Sequence, residues 1–432
     1  MTPAARIAAA IELLAAIEAS VGRPADVLAN DYFRARRYIG AADRRAIAEC
    51  VWQVLRTHRR LSWWLDERPS PRLLVAASLL FERRDSLNGV AALFSGERFS
   101  PGPLNAEELD ALRPLAGNSL EHADMPESVR IEVPDWLLPS LVSCFGPALM
   151  KELQALLRPA PLDLRVNLLK TTRDAAQAAL AAEGMDATRT PLSPWGLRIY
   201  GRRRPVSSGR AFQSGLIEVQ DEGSQLVAAL IDARPGHRVC DYCAGAGGKT
   251  LAMAMTMANR GQIIACDVAA SRLARAARRM RRAGVFNAER HLLKPGDKWA
   301  KRRAGSFDRV LVDAPCSGTG TWRRNPDARL RLTEQDLTEL TSRQAAILDA
   351  AAGLVRNGGR LVYATCSLLP EENEAQVSKF LASHAGFLLV PPAQAWPFQP
   401  APALCTDAAY LTLSPVRHNT DGFFAAVLER TS

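Results

Sequence analysis

The chain has 432 residues, 47% hydrophobic and 23% charged, the balance of a soluble globular protein long enough for two or three domains. No apolar run reaches the roughly 18–20 residues of a membrane span, so no membrane partner is expected. A formal charge of +10 favours a polyanionic partner over an acidic one, the bland alternative being a basic protein that binds nothing charged.

Thr2-Pro3 followed by Ile7, Ile11, Leu14 and Ile17 predicts a capped amphipathic helix. Arg6, Glu12 and Glu18 interrupt its apolar character, so it reads as a folded cytoplasmic start rather than a signal peptide. Helical spacing continues to about Asn118, with Ile47, Val51, Val54 and Leu55 on one face of a helix. Arg56, His58, Arg59 and Arg60 crowd its end, either as a solvated last turn or as an RNA-facing patch. Residues 118–134 read as a proline-marked linker, and Trp136–Leu157 as one helix. A strand at Leu162–Asn167, a helix at Thr171–Glu183 and a strand at Gly196–Tyr200 form a small α+β unit carrying Arg202-Arg203-Arg204.

From about Gly215 strands and helices alternate, the pattern of a doubly wound, Rossmann-like α/β domain. Predicted strands are His237–Tyr242, Gln262–Asp267, Phe307–Val312, Arg360–Thr365 and Gly422–Leu428. Predicted helices are Lys249–Met257, Ser271–Ala283, Asp336–Leu354 and Asn373–Ser383, and Pro391–Pro402 reads as a surface loop. This gives three domains: helical 1–118, small α+β 119–214, and Rossmann-like 215–432.

Eight cysteines in a chain of this length, with no secretory segment read from it, do not suggest a disulfide framework. Cys240-x-x-Cys243 has neither a second pair nor clustered histidines, so no metal site is expected. Asp241 to Thr250 instead form a glycine-rich turn between a strand and a helix, where backbone can approach a ligand closely. Gly248-Lys249-Thr250 hints at a phosphate loop, but that reading is weakened because the pattern needs glycine where Cys243 stands. Asp267 ends the next strand about twenty residues on, suited to the hydroxyls of an adenosine ribose.

Two further strands end in cysteine turns, Phe307–Trp322 with Cys316 and Gly359–Ser367 with Cys366. In an open α/β sheet both thiols would meet at the rim of one crevice. Cytosine C5 becomes nucleophilic once a thiolate adds at C6, and a second group must then assist elimination. Buried cysteines are common as small hydrophobes, but two at strand ends beside a glycine loop favour chemistry.

Cys243–Thr250, Asp313-Ala314-Pro315-Cys316-Ser317-Gly318, Thr365-Cys366-Ser367 and Asp421-Gly422-Phe423-Phe424-Ala425 resemble the Sun-type RNA cytosine-C5 methyltransferases, in their RsmB-like ribosomal RNA branch. Val219–Gln225 is similar to the segment that family places before its glycine loop. Arg165-Val166-Asn167 resembles its RNA-contacting subdomain, and the first hundred-odd residues its NusB-like helical domain. The resemblance implies S-adenosylmethionine as cofactor, RNA as partner and a monomer. It gives Cys366 the nucleophile's role and Cys316 a role in product release, whereas the Pro-Cys pair of DNA cytosine methyltransferases would nominate Cys316. It further implies that Cys243, Ala244, Gly245, Ala246, Gly247, Gly248, Lys249, Asp267, Asp297 and Asp313 line the cofactor site, and that Arg165 and Asn167 contact RNA. Asp297 is placed by its position in Pro295-Gly296-Asp297 alone. Asp313 is also expected near the cytosine and Lys249 near the catalytic centre. Gly245-Ala246 departs from the family's alanine-proline, a change between small residues that leaves cofactor binding expected.

Arg323 and Arg324, just past the Cys316 turn, are placed to meet the RNA backbone beside an unstacked target base. Part of the arginine-rich helix Ser271–Ala283 is expected on phosphate. Rival readings are the same chemistry on transfer RNA, a non-catalytic RNA-binding or ribosome-assembly factor, and a nicotinamide dehydrogenase, which leaves both cysteine turns unexplained.

Overall fold

The computed structural model of the chain describes residues 1–20, 22–65, 69–83, 86–201, 205–398 and 408–431. The basic run Arg202-Arg203-Arg204 and the end of the Pro391–Pro402 loop lie outside the described residues. Two compact units divide the chain: Met1–Arg158 with Trp322–Glu334, and Pro159–Thr321 with Gln335–Ser432. Among the described residues no helix is long and apolar enough to cross a membrane.

The first unit is helical. The Thr2 hydroxyl caps the helix Pro3–Glu18 by accepting from Ala5 N at 3.2 Å, and Pro3 fills the first turn where no donor is needed. Leu13, Leu14, Ile47, Val51, Val54 and Leu55 meet in one core. Residues 118–134 are not a spacer, because Met125, Ile131 and Val133 are buried and Glu132 is fully enclosed. The Glu132 carboxylate accepts from Arg59 N at 2.8 Å, Arg60 N at 3.1 Å and Arg60 Nε at 3.0 Å. The Arg59–Arg60 cluster is thus neither a solvated turn nor an open basic patch. The expected helix Trp136–Leu157 is broken at Gly146, whose φ of +46° and following Pro147 end Leu138–Phe145 before Leu149–Leu157 begins. The expected boundary at 118/119 falls inside this unit.

The second unit holds two sheets. The small antiparallel one has the order β2 (Ala187–Arg189), β3 (Gly196–Ile199), β1 (Leu162–Val166), β4 (Ile217–Val219). Leu164, Val166, Leu197 and Ile217 pack its apolar face against the helix Arg173–Ala182.

The large sheet contains β5 (Arg238–Asp241), β6 (Gln262–Asp267), β7 (Ala288–Leu292), β8 (Phe307–Asp313), β9 (Val355–Thr365), β10 (Phe387–Val390), β11 (Leu411–Leu413) and β12 (Phe423–Arg430). Its order is β10-β12-β9-β8-β5-β6-β7, with β11 on β12. The five strands from β7 to β9 are parallel, and β12 runs against β9. Val310, Leu311, Val312, Leu361 and Val362 are fully buried, as continuous apolar runs must be in a sheet covered on both faces. Strand order reverses between β5 and β8, so the carboxyl ends of β5, β6, β8 and β9 open on one crevice.

Candidate active site at the carboxyl edge of the large sheet

Asp241, Asp267 and Asp313 end β5, β6 and β8, and Cys366 follows Thr365 at the end of β9. The glycine loop leaves β5 with Gly245 at φ +55° and Gly247 at φ +81° before the helix Gly248–Thr256. A Cβ at Gly247 would lie 3.1 Å from the Ala276 side chain, so the turn demands glycine on both counts. Asp267 holds this geometry from the neighbouring strand, accepting from Gly245 N at 2.9 Å and Ala269 N at 2.7 Å. The loop's carbonyls are held by arginines: Arg165 Nη1 donates to Gly248 O at 2.8 Å and Arg279 Nη1 to Ala246 O at 3.0 Å.

Beneath the loop, Asp241 is buried and accepts from Thr250 Oγ1 at 2.6 Å. Burial pushes its carboxyl up to about 7. Burial also pushes up the Cys243 thiol. Lys249 Nζ lies 2.7 Å from Asp313 Oδ2 and 5.7 Å above the Phe423 ring, bringing the loop, the β8 end and the Asp421–Ala425 segment together.

The two cysteines meet. Cys316 Sγ and Cys366 Sγ are 3.4 Å apart, both half-buried. The turns that carry them are laced by Ala314 N donating to Ala364 O at 2.8 Å and Gly320 N to Cys366 O at 3.0 Å. Gly422 N in turn donates to Gly320 O at 2.8 Å, and a Cβ on Gly320 would run into the Gly422 carbonyl. The hydrogen bond to Cys366, burial and the negative charge of Glu372 together push the Cys316 thiol well up.

Asp297 stands in the turn after β7. It pairs with His291 Nε2 at 2.7 Å and accepts from Trp299 N at 2.8 Å, bonds that hold its carboxyl below the usual range. His291, Leu292, Lys294, Pro295, Gly296 and Asp297 line an open cavity of about 530 Å³. Leu293 N donates to Asp267 O at 3.0 Å, which fixes this turn beside the β6 end. Val268, 76% exposed next to Asp267, adds an apolar surface that sequence reasoning passed over.

The arginines depart from expectation. Arg165 is 2% exposed, bonded also to Gln220, and burial lowers its pKa to about 10. Asn167 is 4% exposed and spends its amide on Gly215 O and Ala283 O, both at 2.8 Å. Neither offers a group to an RNA on the surface; both brace the protein from within. Arg323 and Arg324 belong to the first unit, where Arg323 is buried and Arg324 O accepts from Trp52 Nε1. On the helix Ala270–Ala283, Arg279 and Arg282 pair with Glu218, while Arg272, Arg275, Arg278 and Arg281 are exposed.

Residues 228–429 match the family described as 16S rRNA methyltransferase RsmB/F, and residues 133–206 its ferredoxin-like domain. A probable ribosomal RNA small subunit methyltransferase B of Synechocystis sp. is 36% identical over 317 residues, 72% of this chain and 70% of the relative. The methyltransferase B of Photorhabdus laumondii is 33% identical over 302 residues, 69% of this chain and 66% of the relative. Among solved structures, PH0851 superposes with a TM-score of 0.81 at 27% identity over 100% of this chain and 99% of its own. NSun6 of Pyrococcus horikoshii, solved with SFG, has a TM-score of 0.61 at 22% identity over 69% of this chain and 98% of its own, a likeness of fold. The chain therefore belongs to the RsmB/F methyltransferases, S-adenosylmethionine-dependent enzymes with a Rossmann-like sheet and a ferredoxin-like subdomain.

Proposed function

We propose that this protein methylates C5 of a cytosine in small-subunit ribosomal RNA through a covalent bond from Cys366 Sγ to C6. The observation that carries the reading is the pair of thiols 3.4 Å apart at the edge that also bears the glycine loop. The residues present fit S-adenosylmethionine. A Cβ at Gly245 would meet nothing within 4 Å, so the loop leaves room for a ligand, and Asp267 closes its side with a carboxylate suited to ribose hydroxyls. Val268 and the cavity ending at Asp297 suit the apolar face and amino edge of an adenine, and residues 243–249 the remainder of the cofactor.

When bound, the cofactor supplies an electrophilic methyl group. Cys366 adds to C6 as its thiolate, its proton released to solvent, while Cys316, whose raised pKa keeps it a thiol, holds its own proton beside the adduct. The C5–C6 electrons are then available to the methyl group. Asp313, fixed by Lys249, is the base at this edge for the C5 proton. Its loss restores the ring's double bond and breaks the C6–S bond, and Cys316 donates its own proton to the departing sulfur and regains one from solvent. The exposed Arg272, Arg275, Arg278 and Arg281 are assigned to RNA phosphates, in place of Arg165 and Asn167. The reaction is assigned to the cytoplasm and to a monomer.

The test is bisulfite sequencing of 16S rRNA, transfer RNA and small subunits incubated with the purified protein and S-adenosylmethionine. A protected cytosine in 16S rRNA supports the reading. Protection confined to transfer RNA overturns the substrate, and methyl transfer without bisulfite protection overturns the C5 chemistry.

A further inference from the structure

Glu372 lies in the run Pro370-Glu371-Glu372-Asn373-Glu374, which reads as a solvated polar turn, yet its side chain is completely buried. It sits behind the Cys316 turn. One carboxylate oxygen accepts from Ser317 N at 2.8 Å and from Gln344 Nε2 at 2.9 Å, and the other accepts from Ser317 Oγ. Gln344, also fully buried, donates from the same Nε2 to Pro315 O at 3.0 Å. The residues on both sides of Cys316 are therefore gripped by one carboxylate–amide pair. Tyr363 on β9 anchors the grip, its hydroxyl donating to Glu372 O at 2.6 Å.

A buried carboxylate is unfavourable unless its bonds repay the desolvation, and Glu372 accepts three. What this one controls is the position of one thiol. Ser317 continues the network to Ser367 Oγ at 3.2 Å, the residue after Cys366. The two cysteine turns are thus tied together from behind, and the distance between their sulfurs is set there.

We propose that Glu372, together with Gln344, is a positioning residue for product release: it holds the Cys316 thiol against Cys366 so that its proton can pass to the leaving sulfur. The proposal rests on the covalent reading given above. Loosening the grip leaves Cys366 free to attack but slows its departure. Misfolding would abolish the adduct, whereas loss of positioning enriches it.

The experiment incubates full-length protein with 16S rRNA and S-adenosylmethionine and quantifies RNA-linked protein on denaturing gels. Glu372→Ala and Gln344→Ala should each hold about tenfold more adduct than wild type, a slowing of release by that factor. Glu372→Gln, which keeps an acceptor for Ser317 N and Gln344, should release close to wild type. Cys316→Ala is the control: adduct there with wild-type release in both Glu372→Ala and Gln344→Ala overturns the proposal alone. Absence of adduct in Cys316→Ala overturns the covalent reading itself. Should Glu372→Ala fail to fold, Gln344→Ala decides, and release at the wild-type rate in that variant overturns the proposal.

Discussion

The carboxyl edge of the large sheet and the inner side of the small one hold similar charged groups under opposite conditions. At the large-sheet edge the Asp313 side chain is 34% exposed and carries one ion pair, to Lys249. In the small sheet Asp163 and Arg198 are 1% and 3% exposed, joined at 2.6 and 2.9 Å, and Glu222 N adds a third bond to Asp163. The first arrangement leaves lone pairs for a ligand; the second is closed. Charge at a strand end is a site only where its hydrogen-bonding capacity is left partly unspent. By that measure Asp313 keeps hydrogen-bonding capacity at the crevice, whereas Asp267 spends both oxygens on the loop, and Arg165 and Asn167 serve the frame that holds the loop.

The largest expected effect breaks the closed side. Asp163→Ala removes both short bonds from the Arg198 guanidinium, which keeps Asn419 O and the Glu222 carboxylate at 3.7 Å, and leaves the Glu222 amide unpaired. Chemical denaturation should show a stability loss of about 3–5 kcal/mol. Next, Asp267→Asn keeps one acceptor but removes the charge that faces the ligand. Calorimetry should find S-adenosylmethionine bound about ten- to a hundredfold more weakly, roughly 1.5–3 kcal/mol. The melting temperature without ligand should also fall, because the new amide NH2 faces one of the two backbone donors from which Asp267 accepts.

A graded effect, modest at any one pH step, concerns Asp241, whose carboxyl is pushed up to about 7 by burial. The native state then keeps a proton that the unfolded chain releases near pH 4, so this group lowers stability as pH rises from about 4 to 7 and no further above that. Asp241→Asn removes the titration. Its stability relative to wild type should rise by on the order of 1 kcal/mol per pH unit across that window. A difference independent of pH would contradict the buried, proton-retaining state of this carboxyl.

Much of this was legible in the sequence. Gln262–Asp267 and Phe307–Asp313 are short β-branched runs bounded by turns, and such runs become central strands with little help from elsewhere. Topology then brings their ends together, which is why the cysteines meet as expected. Edge strand β7, Ala-Glu-Arg-His-Leu, gives no such signal because Glu289 and Arg290 are exposed. The arginines misled for a different reason: their partners are Gln220, Glu132 and Glu218, or backbone carbonyls, all distant in sequence. Glu372 was hidden likewise, since burial of a polar turn depends on a helix and a strand that spacing alone does not place against it. Trp322–Glu334 follows the Cys316 turn directly yet folds with the helical unit, where Asp327 accepts from Ala25 N at 3.0 Å.

The central claim is that Cys366 forms the bond to RNA and Cys316 releases it. Peptide mass spectrometry of protein–RNA adducts from the two single variants tests it most directly. Cys316→Ala should accumulate an adduct that maps to the peptide containing Cys366, and Cys366→Ala should give none. An adduct in Cys366→Ala that maps to Cys316 would contradict the account and reverse the two roles.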